Sequence, residues 1–74
     1  MADEFSFEFA DEHKLISKST NGWNLELNKI SWNGRAPKYD IRSWSEDHKK
    51  MGKGVTLTDN DLKNLKELLN QLDL

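Results

Sequence analysis

The sequence predicts an α+β domain, an antiparallel sheet of four strands followed by one amphipathic C-terminal helix. Three observations carry that prediction. Apolar and polar residues alternate in several runs before residue 58, Asn-Gly dipeptides stand at 21–22 and 33–34 between such runs, and leucines recur at helical spacing from residue 62 onward.

The first run, Phe5-Ser6-Phe7-Glu8-Phe9, places its apolar residues at odd positions, as a strand with one buried face requires, and the chain continues through Leu15 and Ile16. Met1 to Glu4 read as a frayed acidic tail. Asn21-Gly22 tolerates positive φ and closes the first hairpin. Trp23, Leu25 and Leu27 then alternate, and Ile30 and Trp32 follow in the opposite phase, which predicts a bulge or bend near Asn28 and Lys29. Asn33-Gly34 marks the second hairpin, and Pro37 falls at the start of the third strand, where a missing N–H does least harm. That strand sets Tyr39 and Ile41 among Lys38, Asp40, Arg42 and Trp44.

Residues 45–51 read as a polar loop. Gly52-Lys53-Gly54, whose glycines permit close backbone approach, leads into the fourth strand, Val55-Thr56-Leu57-Thr58. Thr58 is a good N-cap, and Asp59 and Asp61 complement the helix dipole. Leu62, Leu65, Leu68, Leu69 and Leu72 form the apolar stripe, which covers either its own sheet alone or, in part, a second subunit.

A chain of 74 residues and 8.6 kDa holds one domain, expected to span 1–74. Leu, Ile, Val and Phe supply only 17 of those residues, so the core is thin. Small domains offset a thin core with disulfides, a metal or oligomerisation. Cysteine is absent, and His13 and His48 stand 35 positions apart without further ligand motifs, so neither a metal site nor a cofactor is expected. Oligomerisation remains. The lack of cysteine and of any long apolar run fits a cytoplasmic protein with no membrane contact. Catalysis is not expected either: there is no Cys, no Gly-x-Ser-x-Gly elbow and no phosphate-binding loop, and His48 beside Asp47 reads as solvated surface.

The net charge of −2 conceals an uneven distribution. Residues 1–12 carry five acids and no base, whereas residues 29–53 carry seven bases against three acids. Strand parity decides whether the bases share a face with the aromatics. A five-residue connection from Asn33 to Pro37 places even-numbered residues of both strands together: Trp32, Lys38, Arg42 and Trp44, with Thr56 from the fourth strand. Trp23, Leu25, Leu27, Tyr39 and Ile41 then line the core. A two-residue Asn33-Gly34 turn would put Trp32 in the core with Tyr39 instead; the longer loop segregates apolar from charged residues better. Aromatic rings among cations on an open sheet face stack on unpaired bases and hold phosphates. The rival use of the same face is a dimeric protein-interaction module anchored by Trp32, Trp44 and Arg42, and Arg42 can also pair simply with Asp40.

The stretch Ser31-Trp32-Asn33-Gly34-Arg35-Ala36-Pro37-Lys38-Tyr39-Asp40-Ile41-Arg42-Ser43-Trp44, followed by Lys50-Met51-Gly52-Lys53-Gly54-Val55-Thr56-Leu57-Thr58, resembles the bacterial YdbC-type branch of the positive cofactor four family. The resemblance implies a curved four-stranded sheet with a C-terminal helix, a homodimer joined through the helix region, and single-stranded DNA bound along a groove of the sheets, RNA not being excluded. It further implies DNA contacts by Arg42 and Lys53 and base stacking by Trp32 and Trp44. Lys29, Arg35 and Lys38 join that set by position and charge. Ser45 departs from eukaryotic relatives, which often carry a stacking aromatic there, and their coactivator role is not carried over. Transcription, replication or repair proteins are the partners such a role implies.

Overall fold

The computed structural model describes residues 6–74, so the tail and Phe5 of the first predicted run lie outside the described residues. Five strands and one helix follow in order: β1 (Phe7–Phe9), β2 (Lys14–Lys18), β3 (Trp23–Trp32), β4 (Lys38–Ser45), β5 (Met51–Leu57) and α1 (Asp59–Gln71). All pairings are antiparallel, in the order β1-β3-β4-β5, with β2 also paired to β3.

The sheet therefore has five strands where the sequence predicts four, because the first run is broken. Phe9 faces Ile30 and Lys14 faces Leu27, so five steps along one strand match three along the other. The surplus residues bend outward, and Asp11 accepts the Glu12 backbone N–H at 2.8 Å within that bend. This hydrogen bond, followed by the charge of Lys14, holds the Asp11 carboxyl below its ordinary pKa.

The phase change in β3 is not a bulge of that strand against β4. No register shift occurs near Asn28 and Lys29, where β3 and β4 pair continuously from Trp23–Ser45 to Ile30–Lys38. The bulges lie in the neighbouring strands, between Leu15 and Ser17 and between Arg42 and Trp44. Along β3, Ile30 and Trp32 turn to the opposite face from Leu25 and Leu27 because β1 brings Phe7 and Phe9 to that end of the strand.

The sheet is strongly curved. Phe7 pairs with Trp32, and Trp44 pairs with Asn24, eight residues away along β3. A straight strand would separate those positions by about 27 Å, yet the Phe7 and Trp44 rings lie 5.4 Å apart. Phe9 also meets Trp44, edge to face at 5.0 Å.

Even-numbered residues of β3 and β4 do share a face, as the five-residue connection predicts. Asn33 and Gly34 take φ of 51° and 76°, and the Arg35 N–H donates to the Trp32 carbonyl at 2.9 Å, so a tight turn sits inside the longer loop. Burial, however, is the reverse of expectation. The even face holds the deepest residues, Glu26, Asn28, Ile30, Asp40 and Trp44, each at most 4% exposed. The odd face, with Leu25, Leu27, Tyr39 and Ile41, is only half-buried. Curvature closes the first face with β1 and the β4–β5 loop, while α1 lies loosely over the second.

Helix α1 starts at Thr58 as predicted. Its hydroxyl accepts the Asp61 N–H at 3.0 Å and Asp61 accepts the Thr58 N–H at 3.2 Å, a reciprocal capping box. No residue of the helix is buried. Gly54 shows why β5 needs glycine: a Cβ there would stand 2.0 Å from the Arg42 Cβ and 2.5 Å from the Ile41 carbonyl oxygen.

Candidate nucleic-acid interface

Arg42 is the centre of the even face. Its Nε and Nη2 donate to Asp40 Oδ1 and Oδ2 at 2.7 and 2.9 Å, a two-pronged pair set two residues apart on one side of β4. Asp40 is fully buried and also accepts the Thr56 hydroxyl at 3.1 Å. Arg42 Nη1 points to Met51 Sδ at 3.3 Å, and the guanidinium lies 5.1 Å from the centroid of the Trp32 ring. The cation is thus clamped from below by a carboxylate and capped by an indole. Trp32 is half-buried, supported from behind by Phe7 at 5.8 Å.

Lys38, at the start of β4, shares this face and is exposed. Arg35 is exposed in the adjoining turn, where its carbonyl accepts the Ser31 hydroxyl at 2.6 Å. Lys53 is exposed in the irregular stretch of β5 beside Gly54, which faces Arg42. Trp32, Lys38 and Arg42 therefore share the even face, with Arg35 in the turn after β3 and Lys53 next to Gly54, the β5 partner of Arg42.

Two predicted members leave the set. Trp44 is on the even face but 0% exposed, enclosed by Phe7, Phe9 and His48, so no base can reach its ring and it fills the core. Lys29 belongs to the odd face, paired opposite Tyr39, and its Nζ sits 5.2 Å over that ring. The sequence offered the Lys29 parity, and charge alone obscured it. Asp40 is the residue that gains a role, and its signal was also local: Asp40 and Arg42 are two apart in a strand and must share a face.

His48 is not solvated surface. It takes positive φ of 59° in the β4–β5 loop, and its Nε2 lies 3.0 Å from both carboxylate oxygens of the buried Glu26. The loop is closed by Asp47, whose carboxylate accepts the Lys49 N–H and the Ser45 hydroxyl; these two hydrogen bonds lower its pKa.

A five-stranded antiparallel sheet with a C-terminal helix carries an arginine–indole stack and exposed cations, an arrangement compatible with the class of small nucleic-acid-binding domains. The profile of the Transcriptional Coactivator p15 (PC4) family matches residues 19–68, most of the chain. The chain belongs to that family, whose members bind nucleic acid. It is 54% identical over 72 residues to an uncharacterized protein of Treponema pallidum (strain Nichols), a match covering 97% of this chain and 85% of the relative. Among the described residues no helix is long and apolar enough to cross a membrane.

Proposed function

We propose that the protein is a homodimeric, sequence-tolerant single-stranded DNA-binding protein of the bacterial YdbC-type branch, a non-catalytic cytoplasmic factor serving transcription, replication or repair. The observation that carries the reading is the part-buried Trp32–Arg42 stack in a family of nucleic-acid binders, with exposed Arg35, Lys38 and Lys53 on the adjoining turn and strands. Trp32 stacks on a base, which contributes about 1–3 kcal/mol. The three exposed cations hold phosphates, while Asp40 fixes the Arg42 guanidinium against the Trp32 ring.

Dimerisation is supported by the odd face. Leu68 and Leu69 of α1, Leu72 at its C-cap and Ile16 and Val55 of the sheet are each 46–57% exposed, and a groove of about 500 Å³ opens between Ile16, Leu27, Ile41, Leu62, Leu65 and Leu69. A second copy of the helix region fits that apolar surface.

Fluorescence anisotropy of a labelled oligo-dT of about 20 nucleotides, longer than one single-strand site, tests the reading at two salt concentrations with a duplex control. Tight binding that weakens with salt and prefers the single strand is expected. Lys53→Ala should lower the slope of log affinity against log salt by about 0.7. Absence of binding at low salt would reject the reading and leave the protein-interaction module, with Trp32 as a partner anchor.

A further inference from the structure

His13 and His48 are far apart in sequence, yet their rings stack at 4.0 Å with planes 11° apart. His13 follows the bend after β1 and His48 stands in the loop after β4, so both imidazoles overhang the central strand β3. From that strand Glu26 presents its carboxylate to both. Oε1 lies 3.0 Å from His48 Nε2 and 3.6 Å from His13 Nδ1. Asn28, two residues along the same face, donates Nδ2 to Glu26 Oε1 at 3.0 Å and places Oδ1 at 2.8 Å from His13 Nδ1. Phe9 packs edge-on against His13 at 4.4 Å and His48 at 5.6 Å, fixing both rings.

Two properties set this cluster apart from a surface ion pair. Glu26 is 4% exposed and Asn28 1%, so the carboxylate is carried in a nearly dry site, where it needs cationic compensation. The three potential ligand atoms also converge, all within 4.8 Å of one another. Around a tetrahedral ion with bonds of about 2.1 Å, ligand atoms are separated by roughly 3.4 Å. The 3.0 and 3.6 Å distances from Glu26 Oε1 bracket that value; to share an ion the two stacked rings must splay apart, and His13 Nδ1 must exchange Asn28 Oδ1 for the metal. Two imidazole nitrogens with one carboxylate oxygen suit zinc and its neighbours rather than calcium or magnesium, which take oxygen sets. The Asn28 amide supplies the outer hydrogen bond that orients a ligating carboxylate. The His13 side chain is 40% exposed and leaves a path from solvent and a fourth position for water.

We propose that His13, Glu26 and His48 bind a divalent transition-metal ion, zinc being the one to test. The ion displaces any proton on the two ligating nitrogens to solvent and ties the bend after β1 and the loop after β4 to the central strand. It thereby replaces the structural support that the absent cysteines cannot give.

The experiment uses the full chain without a histidine tag, stripped with chelator and titrated with zinc chloride by calorimetry, with thermal unfolding followed in parallel. One zinc per chain and a raised unfolding temperature are expected. His13→Gln, at the most exposed of the three positions, should keep the native circular dichroism and weaken binding by about a hundredfold or more. Cobalt(II) should give the intense visible bands of a four-coordinate site in the parent and not in His13→Gln. No stoichiometric zinc uptake by the parent chain, or equal uptake by His13→Gln, would overturn the proposal.

Discussion

Trp32 and Trp44 lie on the same sheet face with opposite environments. Parity along β3 and β4 made their shared side legible from sequence, but alternation reports direction and not what covers a face. Trp44 is sealed by Phe7 and Phe9, and that closure depends on a curvature no local pattern encodes. The two indoles therefore separate cleanly by mutation. Trp44→Ala should cost about 3–5 kcal/mol of stability, as truncation of a core aromatic does, read as a lowered midpoint in urea. Trp32→Ala should leave that midpoint much closer to the parent and weaken oligo-dT binding about tenfold, consistent with loss of one stacked base. A folded, stable Trp44→Ala protein with lost DNA affinity would reverse the assignment. The Asp40–Arg42 pair was readable in advance as two charges on one side of a strand; its burial was not.

Among the elements, β5 is the least tolerant of change. Its predicted span began at Val55, and the structure extends it back to Met51, through glycines that a propensity reading assigns to a loop. Gly54 belongs in the strand because the neighbouring strand leaves no room for a side chain opposite Arg42. Gly54→Ala should accordingly destabilise by at least about 1–3 kcal/mol, the usual range for overpacking, whereas Gly52→Ala, whose nearest contact would be an ordinary 3.4 Å, should change the thermal midpoint far less. Helix α1 was fully legible through its cap and stripe. The break between β1 and β2 was not, since the surplus residues become visible only once both halves are registered against β3. The histidine–glutamate cluster shares that limitation: three residues from three separate segments carry no common spacing.

For the whole molecule, a radius of gyration of 13.7 Å and extents of 50 × 32 × 19 Å describe a chain more open than the roughly 11 Å expected for this length. The open side is the apolar one, where the groove between sheet and helix lies. Leu69→Glu should therefore shift the mass measured by light scattering from two chains to one; an unchanged dimer would place the subunit contact elsewhere. Composition predicts only that a thin core calls for association; which face is left bare is seen in the structure alone. Helix α1 has no fully buried residue, and only Leu62 and Leu65 are partly covered. In the proposed dimer such a helix would gain much of its stability from the second chain, and folding and association would be linked by mass action. Dilution would then act as a denaturant, with the thirteen-residue helix expected to loosen before the aromatic interior under β1.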